Sequence, residues 1–380
     1  MSHAAPSLRP TRAEINLGHL AHNVRAVREV LGGGPKLYGV VKADGYGHGA
    51  AEVGAEMVRA GADGLCVALV EEGISLREKG LRAPVIALSG LHRDGLEAAL
   101  AHDVTPVVHD PSQLDELARV SSRREVTIHL KVDTGMSRLG VTLDELPAVA
   151  RRLASMPGVH VAGVMTHFAN ADLDDPGFCD VQLARFGEAR ATLSAEGIRP
   201  TVVHAANSAA ALRLPATRLD LVRVGVALYG VAPFPNDGGA LLPVMRVRTE
   251  VLARRVIAAG TAVGYAGAWR AGRSTVLATI PIGYADGYFR RLSSEAEVLV
   301  HGGRARVVGN VSMDLCTVDV TEVDRVREVQ VGDEVVLLGA QTGPAGFGVI
   351  RAEEIAARVG TIPYEVLTAL SRRVPRVFAP

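Results

Sequence analysis

The sequence has no net charge with which to attract a polyanion: 41 basic and 41 acidic side chains cancel over 380 residues. No Lys/Arg run interleaves with aromatics, so the balance argues against nucleic acid or an anionic membrane surface as partner and suits a small neutral or zwitterionic ligand. Cysteine is scarce. Cys66, Cys179 and Cys316 are odd in number, far apart and without CxxC spacing, which argues against a disulfide framework or a zinc site and fits buried thiols in a reducing compartment. No metal is expected. No apolar run approaches the ~20 residues needed to cross a bilayer, and the opening MSHAAPSLRP lacks the apolar segment of a secretion signal. A cytoplasmic protein with no membrane partner is the expectation.

What is present is length and periodicity. A chain of 380 residues exceeds one ordinary hydrophobic core, which favours two domains or a barrel with an appendage. Apolar, β-rich runs at 36–42, 64–69, 84–88, 104–108, 126–132, 159–166, 201–205 and 220–226 alternate with helical patterns at 49–60, 70–79, 93–102, 111–120, 143–155 and 180–196. Strands alternating with helices predict an α/β fold with an N-terminal (β/α)8 TIM-type barrel over 1–241. After the Pro- and Gly-rich loop 232–243, short strands read at 244–257, 274–281, 295–300, 304–309, 315–320 and 334–338, with a helix at 351–359. They predict a mainly-β C-terminal domain over 242–380.

A barrel of this kind carries its chemistry at the C-terminal strand ends. Polar residues fall there: Lys42 at the end of the first strand, Asp133 and Thr134 after the fifth, Thr166 and His167 at the sixth, Asn207 and Ser208 after the seventh, and Arg223 near the end of the eighth. A lysine leaving an apolar strand is partly desolvated, which lowers its pKa and makes the neutral amine needed for a Schiff base accessible. An isolated strand-end lysine is nevertheless more often a surface residue. In LYGVVKADGYGHG, 37–49, the glycines after Lys42 allow tight turns, and no Walker pattern is present. Asn207 and Ser208 open a short helix, where a hydroxyl can help bind an anion or simply cap the helix. Arg223 inside a strand is costly to bury without a partner.

The whole segment VVKADGYGHG resembles the cofactor-lysine motif of the alanine racemase family, and the similarity extends from about residue 12 to 378. The resemblance implies pyridoxal 5'-phosphate carried on Lys42, with Tyr46 at its phosphate. In KVDTGMSRLG, 131–140, it implies that Arg138 holds the cofactor's phenolic oxygen and the substrate carboxylate, and that Lys131 is carbamylated (N6-carboxylysine) to position that arginine. In MTHFANAD, 165–172, His167 packs by the cofactor. In HAANSAA, 204–210, Asn207 and Ser208 serve the phosphate, as do the amides of Gly225 and Val226 in VRVGVALYG, 222–230, where Arg223 donates to the pyridine nitrogen. An always-charged guanidinium there keeps this nitrogen unprotonated and limits electron flow into the ring.

Racemisation needs proton exchange on both faces of a planar α-carbon, and one base cannot easily reach both. By resemblance Lys42 serves one face and Tyr265, in TAVGYAGAW at 261–269, the other. Gly264 and Ala266 stand where the family usually has Ser and Gly. IPIGYADGY and VSMDLC match further site segments and supply Tyr284, Met313 and Asp314, while Tyr364 in TIPYE contacts the phosphate and narrows the entrance in favour of a small substrate. The family is implied to be a homodimer in which the β domain completes the partner's site. The expected function is interconversion of L- and D-alanine, supplying D-alanine for peptidoglycan. The alternatives are a racemase of broader or serine preference, a fold-related pyridoxal-phosphate decarboxylase and a non-catalytic cofactor-binding barrel. The decarboxylase would place an acid where Arg223 stands, and the bare barrel would need neither a β domain nor Tyr265.

Overall fold

The structure, a computed structural model, describes residues 8–89, 91, 95–234 and 240–379. Residues 93–94 of the helix read at 93–102, residues 235–239 of the loop read at 232–243, and the first seven residues of the chain lie outside that set. The chain divides into two units, His19–Leu242 and Met1–Gly18 with Pro243–Pro380.

The unit His19–Leu242 is built on eight parallel strands: β1 (Lys36–Val40), β2 (Gly64–Val67), β3 (Val85–Ala87), β4 (Thr105–Val108), β5 (Val126–Lys131), β6 (Val159–Met165), β7 (Val202–His204) and β8 (Leu221–Val224). Their sequential pairing from β1 to β7, and the pairing of β1 with β8, curl the sheet nearly closed. The remaining seam carries backbone bonds from Asp220 N to Val203 O, 3.1 Å, and from Arg223 N to Ala206 O, 3.0 Å. Strands covered on both faces read as continuous apolar runs. Leu37, Leu65, Val107, Leu130, Val164 and Val222 are all fully buried, and each contributes roughly 1.5–3 kcal/mol relative to exposure. Glycine marks the tight contacts: a Cβ on Gly64 would fall 2.6 Å from the ring of Tyr38 on the neighbouring strand.

The other unit holds a ten-stranded sheet. Its path runs Ala253–Ile257, Thr275–Ile280, Cys316–Asp319, Gly303–Val307, Glu297–Val300, Glu334–Gly343, Met245–Glu250, Arg12–Asn16 and Arg376–Ala379, with Gly346–Ile350 paired to Glu334–Gly343. The strand Arg12–Asn16, read from sequence as part of a barrel domain over 1–241, pairs instead with Met245–Glu250 and Arg376–Ala379. Its alternation explains why: Ala13 and Ile15 are buried, while Glu14 faces Arg246 at 2.9 Å and Arg248 at 2.6 Å. A period of two fits a sheet with one wet face rather than a doubly covered barrel strand.

Candidate active site

Lys42 follows β1 by two residues and opens a left-handed turn. Ala43, Asp44, Gly45 and Tyr46 have φ of 52°, 54°, 63° and 52°. Side-chain-bearing residues in this region cost roughly 1–2 kcal/mol each and persist only where neighbours over-determine them. Here they do. Glu72 Oε1 accepts from Ala43 N at 2.7 Å, Asp44 Oδ1 accepts from Ala50 N at 3.0 Å, and Gly45 N and Gly47 N donate to the carbonyls of Val41 and Ala43. Lys42 itself remains accessible to solvent, yet the protein packed around the barrel end and the charge of Arg138 both lower its pKa. The neutral amine is therefore more available than on a solvated lysine.

Three further cations share this barrel end. Lys131, at the end of β5, is 5 % exposed, and burial followed by the charges of Arg223 and Arg138 pushes its pKa down to about 8. Arg223, 3 % exposed, is drawn by burial down to about 10 and stays charged at neutral pH. Arg138 sits on a loop that Asp133 holds from below, its Oδ1 accepting from the amides of Gly135, Met136 and Ser137 at 2.9, 2.9 and 3.1 Å. Among the described residues no carboxylate forms a close ion pair with Lys42, Lys131, Arg138 or Arg223, although Glu72 and Asp133 act on Lys42 and Lys131 from further away. A cluster of cations without contacting carboxylates is costly unless an anion joins it.

Arg223 is oriented by acceptors on every side. It donates to Thr166 O (2.8 Å), Ala205 O (2.9 Å), His167 Nδ1 (3.3 Å) and His204 Nδ1 (2.8 Å). Because His204 Nδ1 accepts from the guanidinium, its Nε2 carries the proton and donates to His129 Nδ1 at 2.8 Å. Burial and then the Arg223 charge keep all three imidazoles neutral, His167 and His204 well below the usual histidine range and His129 down to about 4. A glycine makes room for this chain, since a Cβ on Gly163 would stand 2.5 Å from the His129 ring. Gly163→Ala is expected to destabilise the protein by about 1–3 kcal/mol through overpacking, read as a lower denaturation midpoint.

A second cluster adjoins it. Ser208 Oγ accepts from Gly225 N at 2.9 Å, and a Cβ on Gly225 would fall 2.6 Å from Tyr46 Oη. Tyr46 rests on Tyr229, ring centroids 4.9 Å apart, and Tyr229 donates to Val40 O at 3.0 Å. Val226 is buried directly after Gly225. Asn207 Oδ1 accepts from Ala210 N at 3.1 Å and so caps the helix Ser208–Arg213. A hydroxyl, a phenol and backbone amides gathered where glycine leaves an opening form a donor set suited to phosphate. With the cations beside it, the barrel end fits a phosphorylated pyridine aldehyde.

Tyr265, Tyr284, Met313, Asp314 and Tyr364 lie in the other unit. Tyr284 N and Ala285 N donate to the carbonyls of Ser312 and Met313, both 3.0 Å, which brings the Tyr284 turn and the Met313 loop together. Asp314 is held by Arg373 at 2.7 Å. Tyr265 is 74 % exposed, Met313 52 % and Tyr284 42 %, while Tyr364 sits on the helix Pro363–Ala369. Sequence reasoning missed Glu72, His129 and His204. Glu72 occupies the third helical position after Leu69, where an acid reaching back to free amides is a readable signal; the two histidines carried none.

Among the described residues, no helix is long and apolar enough to cross a membrane, and no cluster could hold a metal ion. Residues 15–233 match the family described as alanine racemase, N-terminal domain, and residues 244–378 match alanine racemase, C-terminal domain. The chain is 51 % identical to an alanine racemase of Sorangium cellulosum over 379 residues, covering 98 % of this chain and 99 % of the relative. It is 41 % identical to that of Desulfovibrio desulfuricans, covering 97 % and 98 %. Among solved structures, alanine racemase from Bacillus anthracis with bound L-Ala-P superposes with a TM-score of 0.92 at 34 % identity, covering 99 % and 96 %. That of Bartonella henselae with covalently bound pyridoxal phosphate gives 0.88 at 30 %, covering 97 % and 99 %.

Proposed function

The chain belongs to the alanine racemase family and is a pyridoxal-phosphate-dependent isomerase that interconverts L- and D-alanine, and from that premise we propose which of its residues perform the reaction. Lys42 carries the cofactor. The observation that supports this most is the cation cluster around an amine of lowered pKa. Bound there, pyridoxal phosphate supplies an electron sink that acidifies the α-proton of the amino acid. Tyr46, Ser208 and the amides of Gly225 and Val226 hold its phosphate, with Asn207 fixing the helix that presents Ser208. Arg223, kept charged and aimed by His204 and His167, donates to the ring nitrogen. Arg138 takes the substrate carboxylate, and Met313 of a second copy lines the substrate pocket.

Once displaced by substrate, the Lys42 amine exchanges the α-proton on one face, and the Tyr265 phenol does so on the other. Tyr284 and Asp314 support the Met313 loop. Lys131 as a carbamate would answer the charge crowding at Arg138, because the modification turns a cation into an anion. The modification needs the neutral amine, which dominates above about pH 8 and is lost as pH falls below it. Activity at pH 7 is therefore expected to fall severalfold when carbon dioxide and bicarbonate are removed and to return on adding bicarbonate. Intact-mass analysis under native conditions would show the accompanying gain of one carbon dioxide.

The exposure of Tyr265, Met313 and Tyr284 in a single chain fits a homodimer in which each copy completes its partner's barrel site. Mixing the singly inactive variants Lys42→Ala and Tyr265→Phe tests this. If half the dimers are hybrids and each hybrid regains one intact site, about a quarter of wild-type activity returns; sites confined to one chain recover none. A cytoplasmic enzyme supplying D-alanine for peptidoglycan is the physiological role these residues suit. Serine turnover is the second reading, and comparing D-alanine with D-serine as substrate decides between them.

A further inference from the structure

We propose that Asn310 is a positioning residue for Tyr265, its side-chain amide fixing the backbone from which the phenol is delivered. The inference rests on the reading of Tyr265 as the second base. In a single chain the ring is 74 % exposed, so contacts within that chain do little to aim it before a partner copy adds its own, and its starting direction comes from the loop backbone. That loop is strained on both sides of the tyrosine. Gly264 has φ 73° and ψ −173°, a region open essentially only to glycine, and Ala266 has φ 60° although it bears a side chain. Strain of this kind relaxes unless something holds it. Within the loop Gly267 N donates to Gly264 O at 3.1 Å, and Ala268 N reaches Tyr265 O only at 3.4 Å. The stronger hold on that carbonyl comes from outside, where Asn310 Nδ2 donates to Tyr265 O at 3.1 Å.

The anchor is itself fixed. Gly309 N donates to Ser294 Oγ at 3.1 Å and Val311 N to Ser293 Oγ at 2.9 Å, so both neighbours of Asn310 are tied to the same serine pair. Gly309 has φ 74°, and a Cβ on it would stand 3.0 Å from Val263 O, so this segment packs against the short strand Ala262–Val263 that leads into the tyrosine loop. Val308 belongs to the buried cluster with Val263 and Leu277, against which Trp269 packs. A segment tied on both sides of Asn310 thus presents its side-chain amide to Tyr265 O, in a bond that lies at the surface of the single chain. The departure from the family pattern at Gly264 and Ala266 makes this hold more important, because an alanine at a left-handed position does not favour that conformation unaided.

The test compares Asn310→Ala and the isosteric Asn310→Asp, which removes the donor, with wild type and Tyr265→Phe. Each holoenzyme is given L-alanine and D-alanine separately in deuterium oxide, and loss of the α-proton from each enantiomer is followed by proton magnetic resonance. Misplacing one base slows exchange from one enantiomer only, so the ratio of the two exchange rates is expected to shift by roughly tenfold in both Asn310 variants, in the same direction as in Tyr265→Phe. The visible absorbance of the lysine-bound cofactor should remain. If Tyr265→Phe skews the ratio and neither Asn310 variant does, or both variants lower the two rates in parallel with loss of the cofactor band, the Asn310 inference is overturned. If Tyr265→Phe itself leaves the ratio unchanged, the base assignment fails and this inference with it.

Discussion

Lys42→Ala is expected to abolish the visible absorbance of the bound cofactor and to lower racemisation on the order of 10^4-fold or more, because on the proposed assignment it removes both the covalent attachment and a proton-transfer group. The effect is large because nothing nearby can replace the amine. Lys131, the other lysine of the cluster, is 5 % exposed, ends a different strand, and already has its pKa drawn down to about 8 by burial and two arginines. The loss of colour separates this outcome from a folding defect. Lys42 is solvent-accessible and its side chain fills no packed core, so circular dichroism and the unfolding midpoint of the variant apoprotein should match those of wild-type apoprotein. Full activity in Lys42→Ala would remove the residue from the reaction altogether.

Tyr265→Phe is expected to leave the cofactor band in place and, if the phenol is the proposed second base, to lower racemisation roughly 10^2- to 10^4-fold, the range for loss of one of two general acid–base groups. Its signature is asymmetry. The α-proton facing Lys42 still exchanges with solvent, whereas delivery or removal on the opposite face slows, so one enantiomer exchanges without inverting. The side chain is exposed, and loss of a single hydroxyl leaves the loop's backbone bonds untouched, so stability should move by less than about 0.5 kcal/mol. Equal exchange from both enantiomers at wild-type rates would show that another group, or water, serves the second face.

The barrel was legible in the sequence because its strands are covered on both faces and read as uninterrupted apolar runs. Each of the eight runs contains an observed strand, from Lys36–Val40 to Leu221–Val224. The candidate site was legible through strand ends, since Lys42, His167 and Arg223 lie at the end where a barrel keeps its chemistry, whereas Lys131 was reached only through the family resemblance. Arg12–Asn16 was not legible as part of the other sheet, because its partners are more than 200 residues away and period-two alternation names no partner. The left-handed turn at 43–46 was anticipated only as glycine freedom. Ala43, Asp44 and Tyr46 adopt it as well, and they do so because of Glu72 and Asp44 hydrogen bonds that only the folded chain reveals. His129 and His204 read as ordinary strand residues. Their role emerges from Arg223, whose buried charge needs neutral acceptors rather than a carboxylate if it is to remain a donor beside an anionic cofactor.

In the proposed site, cofactor and substrate are both placed by one amine, that of Lys42. Reduction of the holoenzyme with borohydride makes the bond between cofactor and lysine permanent, and proteolysis followed by mass spectrometry then identifies the modified residue. The pyridoxyl group is expected on Lys42, within the peptide that continues into ADGYGHG. Its recovery on Lys131 or on any other lysine, with Lys42 unmodified, would contradict that assignment.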